Sequence, residues 1–168
     1  MNIFFLSRYP ETAAKYHCDQ HCSKMMIEYA QLMSTAHHVM ESPLADQCYK
    51  IAHKNHPSTI WTRASEKNYL WLYQLWSALA QEFYNRRGKH HASWIKLKDV
   101  LCHAPKGLKL LPFSDPPQCM PDEYKRPKDC LGAYRAYYKG DKARFAKWEW
   151  PTSETPFWWD HEKAQASA

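Results

Sequence analysis

The chain has 168 residues, 45% of them hydrophobic, enough for one domain with a real core and too few for a second. A net charge of +6 and a pI near 8.9 lean toward polyanionic partners. Only four Gly argue against phosphate-cradling Gly-rich loops, and no run of about 18 apolar residues exists to form a membrane span.

Residues 2–6 (NIFFL) read as a short extended segment that ends at Arg8-Tyr9-Pro10. Pro10-Glu11-Thr12 suits a helix start, and helical periodicity then runs over about 11–40. On that predicted helix His17, His21, Lys24, Glu28, Gln31 and Thr35 keep to one narrow polar stripe. The neighbouring stripe, Cys18, Cys22, Met25, Tyr29, Leu32 and Ala36, is apolar and reads as the buried side. Lys24 and Glu28 stand four residues apart and can pair, which makes Glu28 the best candidate for acid–base or charge-stabilising work.

A second long helix is expected over about 59–87, with Trp61, Tyr69, Leu72, Trp76, Leu79, Ala80 and Phe83 inward. Gly88 would end it, with Arg86 and Arg87 in the last turn. His53, Asn55, His56 and Pro57 precede it, so Asn55, His56 and Arg63 are candidate substrate contacts. Residues 93–102 suggest a short amphipathic helix. The stretch 104–127, with six prolines, reads as a long surface loop. A third long helix follows at about 128–147, then a Trp-rich stretch and a small, polar tail at 160–168 expected to be flexible. The whole is expected to be an all-α single domain.

Two basic and aromatic segments, NRRGKHH (85–91) and AYRAYYKGDKARFAKW (133–148), alternate cations with rings. Such surfaces suit nucleic acids, because phosphates take Lys and Arg while bases stack on rings. Arg86, Arg87, Arg135 and Lys142 are the candidate phosphate contacts. A metal alternative rests on the His17/His21 spacing, with a third ligand to come from Asp19, His53 or His56. Cys18 and Cys22 share that spacing but point about 100° away, so all four cannot hold one ion. No cofactor is expected. The start of the chain lacks a basic leader, so a cytoplasmic location is expected, with the six cysteines as thiols.

The motifs YHCDQHCSKMMIEYAQ, NHPSTIW, MPDEYK and AYRAYYKGDKARFAKW resemble those of uncharacterised small phage proteins over nearly the whole chain. More distantly, Asp19-Gln20-His21, Glu28 seven residues later and YRAYYKG resemble the phage pyrimidine-dimer DNA glycosylases. That resemblance implies an all-α basic enzyme acting on DNA in the host cytoplasm. It also implies that an N-terminal α-amine attacks C1′ of the damaged nucleotide with help from a helix glutamate. By carry-over, Glu28 is that glutamate and Met1 supplies the amine; the bulk of Asn2 disfavours removal of Met1. An α-amine titrates at about 8, so an appreciable fraction is neutral and nucleophilic near pH 7.

Under this reading Met1, Glu28, Lys24 and His21 are catalytic, and His17, Asp19, Gln31, Asn55, His56 and Arg63 line the substrate pocket. The chain departs from the pattern at Asn2, Ile27 and Gln31, where the family carries arginines. Those departures keep two other readings open. One is a phage transferase that modifies nucleotides or DNA bases on the same fold. The other is a non-catalytic protein that binds nucleic acid or inhibits a host enzyme. Oligomeric state is left open.

Overall fold

The computed structural model describes residues 1–159 and is all-α, with no β-strand among them. The expected tail at 160–168 lies outside the described residues. Six α-helices follow in chain order: α1 (Pro10–Tyr16), α2 (Asp19–Val39), α3 (Pro57–Thr62), α4 (Glu66–Arg87), α5 (Ala92–Leu101) and α6 (Cys130–Tyr137). None of them is long and apolar enough to cross a membrane.

α2 is the central helix, packed by α3, α4 and α5, while α1 lies along α4. The expected apolar stripe is its core side: Cys22, Met25, Tyr29, Leu32 and Ala36 are fully or almost fully buried. Burying a side chain such as Leu32 contributes about 2 kcal/mol relative to leaving it exposed. Trp76 of α4 is enclosed against this stripe and donates its indole N–H to the Met26 carbonyl at 2.9 Å.

Two of the three expected long helices are each two helices. The first breaks at His17 and Cys18, whose ψ angles of 128° and 162° are extended. Periodicity continues across this break, but the carbonyls at the end of α1 are claimed from far away. Arg86 donates to Lys15 and His17 carbonyls at 3.0 and 2.9 Å, and the Trp148 indole donates to the Tyr16 carbonyl at 3.2 Å. These groups take the place of the next helical turn. The second break, at Arg63–Ser65, is held by Ser65 Oγ, which accepts from Asn68 N at 3.1 Å. Asn68 bridges the same break to the proline-rich loop, donating to the Trp61 carbonyl and accepting from Ser114 N.

α4 ends where expected. Gly88 has φ +71° and its N–H reaches the Tyr84 carbonyl at 2.8 Å, the left-handed stop that glycine takes without a Cβ clash. α6 is shorter than the expected 128–147. It starts on the Asp129 cap and passes into a wide π-turn at Tyr138–Lys142. Gly140 sits in that turn against Tyr124, and a Cβ there would collide with the tyrosine ring.

The loop 104–127 carries one short 3-10 turn, Asp122–Tyr124. Residues 3–6, expected to be extended, form no strand; they run buried through the core beside α2.

Candidate active site at the N-terminus

The position of the chain start follows from the residues after it. Ile3, Phe4, Phe5 and Leu6 are at most 3% exposed, so this thread is fixed by burial. A relay pins it: Phe4 N–H donates to the Tyr29 hydroxyl at 3.1 Å, and that hydroxyl donates to His17 Nε2 at 2.7 Å. His17 Nδ1–H then donates to the Ala13 carbonyl at 2.7 Å. Arg135 Nε holds the Leu6 carbonyl at 3.1 Å from the other side.

The thread delivers the Met1 amine to the polar face of α2. Met1 N stands 3.6 Å from Glu28 Oε1, and Lys24 Nζ stands 3.9 Å from Glu28 Oε2. The Glu28 side chain is 19% exposed and that of Met1 5%, whereas Lys24 is 61% exposed. The group lines a cleft of about 360 Å³ with Asn2, Gln20, His21, Lys142, Arg144 and Phe145. The polar stripe of α2 is thus one wall of the cleft, and the segment after α6 is the opposite one.

His21 is buried, stacked on the Phe4 ring at 4.3 Å between centroids, with Nδ1 2.6 Å from the Tyr138 hydroxyl. Burial, helped by nearby His17, Lys142 and Lys24, pushes its pKa down to about 2. It is a neutral, oriented wall residue. His56 caps α3, with Nδ1 accepting from Ser58 N at 3.1 Å. Burial, with the charges of the Met1 amine and His53, lowers its pKa, and it does not line the cleft.

No protein-family model, curated protein or solved structure matches the chain.

Several candidate residues are engaged elsewhere. His17 is not a rung of the α2 ladder: it ends α1, is fully buried, and both ring nitrogens are bonded. Burial lowers its pKa to about 4. That removes the i,i+4 geometry behind a His17/His21 metal pair, and no group of three His, Cys, Asp or Glu among the described residues is placed to hold a metal ion. The cysteines are free thiols. Asp19 is a buried junction whose carboxylate is fully bonded within the protein. Its carboxylate accepts from Arg86 at 3.2 Å, Glu149 N at 2.6 Å, Trp150 N at 2.9 Å and Ser153 Oγ at 2.5 Å.

Arg86, expected on phosphates, is 2% exposed and enclosed by Asp19, Glu82 and the α1 carbonyls. Arg135 lies half-buried over the Tyr16, Phe157 and Trp158 rings, so it staples the C-terminal segment to the core. Thr35 is buried and exchanges bonds with Ala52, and Gln31 is half-buried farther along α2. Asn55 is exposed beside His56. Arg63 is half-buried, with Nη1 buried and lacking a protein partner. Lys142 does line the cleft, paired with Asp141 at 3.0 Å and lying 4.6 Å from the Tyr137 ring centre. Arg87 is exposed and covers Trp150 at 4.6 Å.

Asn2, Arg144 and Phe145 line the cleft without having been candidate site residues. Arg144 and Phe145 sit within the cation–ring alternation of 133–148, which was the available signal. Asn2 is marked only by the resemblance, as the position after the terminus where the family carries an arginine.

Proposed function

We propose that the protein is a DNA-acting, glycosylase-like enzyme that works through an amine nucleophile at Met1. The observation that carries this reading is the Met1 amine 3.6 Å from Glu28 Oε1 in a cleft of about 360 Å³. An amine and a carboxylate at that separation suit displacement at a sugar carbon.

In the proposed step the neutral amine attacks C1′ of a nucleotide turned out of its stack, at a cost of a few kcal/mol. The C1′–N bond breaks and its electron pair leaves with the base, which takes up a proton. Glu28 stabilises the positive charge that develops on the sugar, accepts a proton from the attached nitrogen and passes it to O4′ as the C1′–O4′ bond breaks and the nitrogen lone pair closes the protonated Schiff base. Lys24 pairs with the carboxylate from the exposed side. His21, neutral at working pH, shapes the wall through its stack on Phe4.

The base-modifying transferase reading uses the same cleft, and the place to divide them is the covalent bond. Borohydride reduction in the presence of DNA with a central abasic site or UV lesion is expected to leave a protein–DNA adduct, mapped by mass spectrometry to Met1. The adduct should vanish when the amine is acetylated or the chain is extended by two residues before Met1. Turnover that persists without an adduct, and with a blocked amine, would sink the amine mechanism. A wild-type protein that binds DNA but changes nothing in it would point to the non-catalytic reading.

A further inference from the structure

The cleft at Met1 continues into a second groove. Gln20, Lys24 and Phe145 belong to both, and the second groove, of about 670 Å³, runs toward the C-terminal end of α4. Its cations come from three parts of the chain: Lys24 on α2, Arg87 and Lys89 around the α4 stop, and Lys147 beyond the π-turn. Of its two carboxylates, Asp19 is buried and consumed by Arg86, two backbone N–H groups and Ser153; with Lys24 paired to Glu28, that leaves Glu149 alone against Arg87, Lys89 and Lys147.

Trp150 forms part of the wall. Its backbone N–H is held by Asp19 at 2.9 Å, and the Arg87 guanidinium lies 4.6 Å from the centre of its ring. A ring held in place beside an arginine is a surface on which a base stacks, with the cation available to a phosphate.

We propose that this groove holds the DNA strand flanking the nucleotide whose sugar enters the Met1–Glu28 cleft. Arg87, Lys89 and Lys147 take its phosphates, and Trp150 stacks on a neighbouring base. The substrate class is therefore a polynucleotide several residues long, not a free nucleotide. The identity of the reacting nucleotide rests on the glycosylase reading; the groove itself is tested by binding.

The experiment is fluorescence polarisation with a labelled DNA oligonucleotide carrying a central abasic site, titrated over a range of salt. It compares wild type with the double variant Arg87→Ala/Lys147→Ala and with Trp150→Leu. Both mutated cations are exposed, so the double variant keeps the fold. The double variant is expected to bind at least tenfold more weakly at low salt, with the log–log salt slope reduced by about two. Trp150→Leu is expected to weaken binding about fivefold or more with the slope retained. Wild-type affinity and slope in the double variant would overturn the groove, whatever Trp150→Leu does.

Borohydride trapping on the same oligonucleotide separates this proposal from the one beneath it. Binding that falls in the variants while wild type forms no adduct leaves the groove standing and removes the chemistry. Adducts formed equally well by wild type and double variant on a mononucleotide and on the oligonucleotide would remove the groove and leave the chemistry.

Discussion

Glu28 has two cationic neighbours of different character. The Met1 amine is carried on an almost buried side chain, while Lys24 reaches in from an exposed one. The two should therefore respond differently to mutation. Glu28→Gln keeps the shape and removes the charge that receives protons and steadies the sugar cation, so adduct formation should slow about 10²- to 10⁴-fold. Single-turnover trapping rates measure this, and a loss of less than threefold would exclude an acid–base or electrostatic role. Lys24→Met should cost far less, about fivefold at most, because an exposed ion pair is worth under about 1 kcal/mol. At the same scale, Tyr29→Phe breaks the relay from Phe4 to His17 and leaves a buried N–H without a partner. Its expected cost is about 1–3 kcal/mol, read from urea denaturation, with a fall in trapping rate as the amine loses its anchor.

The unit that matters among the elements is the α1–α2 break, where Arg86 and Asp19 tie α1, α4 and the segment after the π-turn into one junction. Arg86→Met would leave the buried Asp19 carboxylate without its counter-charge and the Lys15 and His17 carbonyls without their donor. Losing one partner of a buried pair costs about 3–5 kcal/mol, which for a domain of this size lowers Tm by about 10 °C. Thermal unfolding followed by circular dichroism tests it, and a Tm within 2 °C of wild type would mean the junction does not hold the break.

This break also marks the limit of what the sequence made legible. The apolar stripe of α2, the Gly88 stop and the Lys24–Glu28 pairing are written in spacings of three and four residues, and the structure has them. The break at His17–Cys18 is written in Arg86 and Trp148, which lie 69 and 132 residues from the carbonyls they cap. Local periodicity runs through it unchanged, so His17 read as the first rung of a ladder that begins at Asp19. Met1 reaches Glu28 through the burial of residues 3–6 and the Tyr29 hydroxyl, which no local pattern encodes. Only the resemblance put the two together beforehand.

At the scale of the whole molecule, the cleft is built where three distant parts of the chain are buried against one another, and the core around it holds buried histidines, of which His21 alone lines the cleft. His17, His21 and His37 all have pKa values lowered by burial: to about 4 for His17, to about 2 for His21, and downward for His37. Each is bonded as a neutral ring, His37 between Ser42 and the Tyr69 hydroxyl. In the unfolded chain they titrate at about 6.5. Between that value and the folded one the unfolded state binds more protons, so stability rises with pH. The contribution is complete above about pH 6.5 and is lost as pH falls toward 4. For His17 alone the difference is on the order of 3 kcal/mol over that window. Urea midpoints measured from pH 7.5 down to pH 4.5 should therefore fall steadily below about pH 6.5. The Tyr29→Phe variant, with His17 still enclosed, should fall in parallel from a lower start. A midpoint that stays level between pH 7 and pH 5 would show that these rings are not held neutral in the folded protein. The thread that carries Met1 to Glu28 would then be anchored by burial of Ile3–Leu6, the Phe4–Tyr29 bond and the Arg135 bond to Leu6, without the neutral His17 end of the relay.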